Sequence, residues 1–250
     1  MCAYIIRAKI NNQLKNKMAA GSIFVQKESQ IIYIQASRGS GKTTVVVNML
    51  LTRWEDGGYA GFYDEVYIFS PNVFIDPKLK YLATKMKPER VFDHFDADVF
   101  NGILDSANGS KRILIILDDC MCDNGFKSGN SSNPITKACA IGRNRKVSLI
   151  VVSQSYVAIP KDARKNLDMY IGFGQMSESE LKDLWNGELC LPWYRYKDFV
   201  RDYAQYTKEK FSFIVYNKDE REVYAYSPEK KEYLLIADRN TVSNALNNEN

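Results

Sequence analysis

The chain has 250 residues, 45% of them hydrophobic and 26% charged, with a formal net charge of +4; these are the proportions of a folded globular protein and exclude a largely disordered or collagen-like chain. The length suits a single α/β domain. No run approaches the roughly 18 consecutive apolar residues needed to cross a bilayer, and residues 1–20 carry no apolar signal region, so neither secretion nor membrane contact is expected.

Residues 1–20 hold Arg7, Lys9, Lys15 and Lys17 and no carboxylate, which leaves a body with balanced charge. They form a basic N-terminal segment ahead of one domain over 21–228 and a polar, Asn-rich tail over 229–250. Within the body, the only long charge bias runs from Asn124 to Pro160, with five basic residues and no acidic one. A neutral protein still holds a polyanion where its cations cluster.

The first predicted strand is Gln30–Gln35, followed by a Gly/Ser turn and a helix over Lys42–Trp54 in which Val45, Val46, Leu50 and Leu51 recur at helical spacing. A second strand spans Glu65–Ser70 and ends at Pro71. His94, the one histidine, lies in a polar stretch with no nucleophile near it and reads as a surface residue. Arg112–Asp118 is a third strand, too continuously apolar for an edge. A Gly/Ser/Asn loop follows at 125–134, then a helix near Ile135–Gly142 and strands over Val147–Ser153 and Leu167–Phe173. A helix is expected over Glu178–Trp185. Phe211–Tyr216 and Glu222–Tyr226, joined by a polar turn, suggest an antiparallel hairpin at the sheet edge. Strands alternating with helices predict an α/β fold with a mostly parallel central sheet flanked by helices. Tyr194, Tyr196, Tyr203 and Tyr206 either stack on bases or pack a helix on the sheet, packing being the commoner use. Five cysteines without a CxxC pair suggest reduced thiols.

The sharpest chemical signal is Ala36-Ser37-Arg38-Gly39-Ser40-Gly41-Lys42-Thr43-Thr44. Glycines let successive amide groups turn toward an anion at a helix N-terminus. In such a phosphate loop Lys42 bridges the β- and γ-phosphates of ATP, Thr43 offers its hydroxyl to Mg²⁺, and Thr44 lies near the α-phosphate. Ala36 takes the place of the usual first glycine, a change tolerated if its φ is negative. Gly-Ser-Gly-Lys-Thr alone can open any helix; the preceding strand and following helix select nucleotide binding.

Asp118 and Asp119 sit at the carboxyl end of the third strand, where open parallel sheets bind ligands. Asp118 is expected to hold the Mg²⁺ shell and Asp119 to orient or deprotonate the attacking water. Gln154, just past the fourth strand, would lie beside the phosphate loop if that strand neighbours the first, and there its amide can report the γ-phosphate. Guanine recognition would need D-x-x-G, which is absent after the third strand, while Asn217-Lys218-Asp219-Glu220 reads as the hairpin turn. A nucleotide kinase needs an arginine-rich lid, for which Gly142–Lys146 is the one candidate.

Gly39–Thr43, Ile113–Asp119, the run Gly142–Tyr156 containing Arg143 and Ser153-Gln-Ser-Tyr, and Ile159-Pro-Lys-Asp-Ala-Arg-Lys-Asn166 together resemble the FtsK/HerA superfamily, most closely its genome-packaging ATPases from poxviruses, other large DNA viruses and virophages. The resemblance covers about Ile31–Phe173. It implies a RecA-like P-loop fold and a Mg²⁺-dependent ATPase that drives double-stranded DNA into a preformed capsid. The implied assembly is a pentameric or hexameric ring working with capsid or portal proteins, in the viral factory or the virion. It also implies that Gln154 is the γ-phosphate sensor and that Arg143 reaches the neighbouring subunit's nucleotide, with Arg164 or Arg145 as alternatives. Lys127 is the candidate pore-loop residue. Three other readings remain open: a nucleotide-gated assembly protein with negligible turnover, a P-loop nucleotide kinase, and conjugative or chromosomal DNA pumping by the same engine.

Overall fold

The computed structural model describes residues 27–120, 133–174, 176–189, 191 and 194–238. The basic segment 1–20, Lys127 and most of its loop, and the end of the tail lie outside this set. Nine strands form one sheet: β1 (Ile31–Gln35), β2 (Glu65–Phe69), β3 (Val91–Phe92), β4 (Ile113–Asp118), β5 (Val147–Ser153), β6 (Met169–Phe173), β7 (Phe213–Asn217), β8 (Glu222–Ser227) and β9 (Glu232–Ala237). Their order is β3-β2-β4-β5-β1-β6-β7-β8-β9. The pairs from β3 to β6 are parallel, and β7, β8 and β9 each run antiparallel to the strand before.

The helices are α1 (Lys42–Leu51), α2 (Pro77–Ala83), α3 (Ala97–Ser106), α4 (Pro134–Arg145), α5 (Lys161–Arg164), α6 (Glu178–Leu184) and α7 (Tyr196–Tyr206). Four of them begin on a side chain that accepts amide hydrogens from the first turn: Asp76 for α2, Asp96 for α3, Asn133 for α4 and Ser177 for α6. Such caps satisfy amides that have no partner within the helix.

Alternation along the central strands divides the core in two. Tyr33, Ile115, Leu117, Leu149 and Val151 face one side, where α3, α4, α6 and α7 contribute Phe100, Ala138, Leu184 and Phe199. Ile32, Ile34, Ile116, Ile150 and Ile171 face the other, with Val46 and Leu50 of α1 and Leu79 and Leu82 of α2. Every residue of β4 is buried, as expected of a strand covered on both faces.

The elements differ from those expected at α2, α3 and α5, which no local pattern marked, and in the sheet and at α4. The two-residue β3 was not expected, being too short to carry a period. The terminal antiparallel unit has three strands where a hairpin was expected, and β9 carries the sheet past residue 228 into the stretch assigned to the tail. Alternation there is blurred because β9 is half-buried along most of its length. The helix expected near Ile135–Gly142 continues to Arg145, so the candidate lid Gly142–Lys146 is the last turn and C-cap of α4.

The tyrosines pack. Tyr194 and Tyr203 are buried. Tyr194 meets Trp185 at 6.0 Å, Tyr203 meets Phe199 at 5.8 Å, and the Tyr194 hydroxyl donates to Asp202 at 2.9 Å. Among the described residues, Cys120 and Cys139 are buried, and burial pushes the Cys139 thiol up to about 12.

Candidate nucleotide-binding site

The sheet polarity sends the carboxyl ends of β1, β4 and β5 to one edge. The neighbouring β5 and β1 bring Gln154 to the phosphate loop, and the Ala36 amide donates to the Ser153 carbonyl at 2.9 Å, tying the loop to β5. Ala36 is fully buried and is not among the residues with positive φ, so the missing first glycine costs nothing in backbone. Gly39 (φ +77°) and Gly41 (φ +103°) do take left-handed conformations. Ser40 folds the loop on itself by donating its hydroxyl to the Ser37 carbonyl at 2.7 Å. The N-cap of α1 is Gly41, and no side chain caps its first turn. The amides that Asp or Asn accept elsewhere in the fold are thus left for an anion, which the helix dipole also favours.

One cleft of about 1300 Å³ opens at this edge. Arg38, Gly39, Gly41, Lys42, Thr43 and Thr44 line one wall, and Asp118, Asp119 and Gln154 line the floor. Ser37 and Ser40 shape the loop without lining the cleft. Lys42, nearly buried, places its ammonium 2.6 Å and 2.5 Å from the two carboxylate oxygens of Asp119. Asp119 itself is left-handed (φ +52°), anchored by its amide on the Val152 carbonyl at 3.1 Å.

Asp118 differs from its neighbour. It is buried, its Oδ2 accepts from the Ser70 hydroxyl at 2.8 Å, and its Oδ1 is buried without a hydrogen-bond partner among the described residues. Burial raises its pKa, with the Asp119 charge adding to the shift and the Ser70 hydrogen bond and Lys42 opposing it. A buried carboxylate oxygen with no donor is costly unless a ligand completes it. Together with the Thr43 hydroxyl it offers hard oxygens of the kind Mg²⁺ takes, and that ion normally keeps several waters and shares one or two carboxylates with phosphate. The described residues contain no cluster of three His, Cys, Asp or Glu able to hold a metal alone.

Sequence reasoning missed two contributors. Ser70 ends β2 at the same edge, and its position at a strand's carboxyl end is the signal that could have found it. Lys78 reaches from α2 to donate to the Thr44 hydroxyl, which no local pattern announces.

The arginines lie apart. Arg143, with its side chain mostly exposed, sits 3.8 Å from Asp168, which accepts the Ile31 amide at the amino end of β1. The full length of β1, roughly 17 Å, separates that end from Lys42, so Arg143 cannot touch a nucleotide in its own cleft. The same distance removes the Gly142–Lys146 stretch as a lid over this cleft. Arg145 donates to the Leu104 carbonyl and lies 3.7 Å from Asp105. Arg164 lies over the Tyr156 ring at 4.8 Å. Neither lines the cleft. The Asn217–Glu220 turn also falls at the far end, because Asn217 pairs with Met169, and there it cannot read a base bound here. His94 is exposed beside Asp93 and takes no part.

A glycine-turned loop between a parallel strand and an uncapped helix, facing an acidic strand end, defines a P-loop ATPase. Solved structures of that class share this fold. The genome packaging NTPase B204 of Sulfolobus turreted icosahedral virus 2, in complex with ATP-gammaS, is similar at 14% identity over 81% of this chain and 99% of that one, with a TM-score of 0.56. In complex with AMP it is similar at 16% identity, 81% and 99% coverage and a TM-score of 0.57. B204, the DNA-packaging ATPase of Sulfolobus turreted icosahedral virus, is similar at 15% identity over 82% and 99%, with a TM-score of 0.56. No curated protein matches the chain in sequence. The model of the Poxvirus A32 protein family matches residues 22–187, and the chain belongs to that family.

Proposed function

We propose that this chain is a Mg²⁺-dependent ATPase that uses hydrolysis to drive double-stranded DNA into a preformed viral capsid, working in an infected cell as a homo-oligomeric ring with capsid or portal proteins. The observation that carries the reading is the convergence of Lys42, Asp118, Asp119 and Gln154 on one cleft in a chain of this family.

Lys42 leaves Asp119 to pair with the β- and γ-phosphates, and the freed Asp119 carboxylate accepts a proton from the attacking water. Thr43 and Asp118 would hold Mg²⁺, which when bound neutralises charge on the phosphates. Gln154 hydrogen-bonds the γ-phosphate and the water. Arg143, far from its own cleft, spreads developing phosphate charge in the adjoining subunit, since a guanidinium presents several fixed donors. No helix among the described residues is long and apolar enough to cross a membrane.

The test is the rate of Mg²⁺-ATP hydrolysis over a protein concentration series, with and without double-stranded DNA, wild type beside Arg143→Ala. Turnover should rise with concentration and DNA and collapse in the variant while ATP still binds. Turnover indifferent to all three would overturn the ring motor.

A further inference from the structure

The reversal of direction after β6 has a local result at the nucleotide end. The start of β7, the end of β8 and the start of β9 all return to the edge that carries the phosphate loop. Phe211, Tyr226, Pro228 and Tyr233 line the cleft there, opposite the start of α1. Tyr226 and Tyr233 lie 5.0 Å apart, and Tyr226 stacks on Phe213 at 4.7 Å with an interplanar angle of 19°. These rings form an apolar wall in a cleft whose other end is polar and charged.

Phe211 stands out within it. Its backbone is left-handed (φ +71°), and the residue is 47% exposed. Of the five non-glycine residues with positive φ among those described, Lys146 caps a helix, Arg221 and Lys231 sit in hairpin turns, and Asp119 belongs to the site. Glycine would suit position 211 better on backbone grounds, and an exposed ring gains little from burial. Phe211 lies in the turn Glu209–Ser212, closed by the Ser212 amide donating to the Glu209 carbonyl at 3.1 Å, which accounts for its φ; the turn does not account for an exposed aromatic ring lining the cleft. The ring leans over the loop: a Cβ built on Gly41 would meet Phe211 Cδ1 at 3.1 Å, and the Lys210 ammonium lies 4.9 Å from the ring centroid.

We propose that Phe211, with the Tyr226–Tyr233 wall, is the nucleobase site of this cleft, and that it holds the base by stacking on its face. The proposal rests on the nucleotide reading of the phosphate loop. The phosphates occupy the Lys42 and Thr43 end, and the base turns toward the flat apolar surface beside Gly41. Aromatic faces suit a base because every base offers a π-face, whereas sugar and phosphate do not.

The experiment titrates wild type, Phe211→Ala, Phe211→Gly and Phe211→Trp with ATP and, separately, with inorganic tripolyphosphate, at one Mg²⁺ concentration. Removing a base stack should weaken ATP binding by about tenfold in the alanine and glycine variants while tripolyphosphate affinity stays within about twofold of wild type. The tryptophan variant should keep ATP affinity, and the glycine variant should melt no lower than wild type. Equal weakening of both ligands would mean that the ring only props the loop, and unchanged ATP binding would mean that it does nothing for the base. Either result overturns the proposal. Wild type that binds tripolyphosphate as tightly as ATP also overturns it while leaving the phosphate site standing. Wild type that binds neither ligand removes both.

Discussion

Substituting Asp119→Asn should move ATP affinity and turnover in opposite directions. Asn keeps the volume and tolerates left-handed backbone better than other non-glycine residues, so φ +52° is no obstacle. What is lost is the charge facing Lys42 at 2.5–2.6 Å, in a pair whose side chains are 10% and 21% exposed. Two fully buried ions would lose about 3–5 kcal/mol on removal of one partner, and an exposed pair about 0.2–1 kcal/mol. The intermediate exposure here places the loss of apo-protein stability at about 1–2 kcal/mol. ATP must break the same pair to recruit Lys42, so the variant should bind ATP tighter by roughly 5–30-fold, the same energy converted at 1.4 kcal/mol per decade. Turnover should fall by about 10²–10⁴, the usual contribution of a positioned base. Calorimetric titration with a non-hydrolysable ATP analogue, thermal melting and single-turnover hydrolysis read the three quantities. ATP affinity that falls, or turnover that survives, would refute the reasoning; surviving turnover would favour the assembly-protein reading.

Two further outcomes concern Asp118. Its native pKa is raised, so the folded protein holds a proton the unfolded chain has released, and stability falls as pH rises from about 4, the ordinary carboxylate value, toward the raised native one. Asp118→Asn should remove that slope and stabilise the apo protein at neutral pH, while abolishing hydrolysis; melting curves between pH 4 and 8 check it. Ser70→Ala deletes the hydroxyl donating to Asp118 at 2.8 Å, so Mg²⁺ affinity should fall about 10–100-fold as for other outer-shell partners, measured by Mg²⁺ titration of ATPase rate.

The legible parts of this molecule were those where one local pattern decides the outcome. Continuous apolar residues over Ile113–Leu117 could only be a covered strand, and Gly39, Gly41 and Lys42 between strand and helix carry their chemistry at fixed spacing. Ser70, Lys78 and Phe211 were missed because their roles depend on which elements meet at the cleft, although the place of Ser70 at a strand's carboxyl end was a usable signal. Ser70 matters only once β2 is known to flank β4, and Phe211 only once β7 is known to run backwards. Arg143 is intermediate: the family resemblance named it, but only sheet polarity shows that it lies a strand's length from its own cleft.

The bare start of α1 couples ligand and secondary structure. Where α2, α3, α4 and α6 each carry their own terminator for stray amides, α1 begins on a glycine and leaves the post vacant, so a bound phosphate becomes the missing part of the helix. A phosphate bound there would stiffen α1, which runs about 15 Å to its far end, where Leu51 and, just past the helix, Trp54 reach the surface. A neighbour resting on those two residues would sense a full or empty site without touching it.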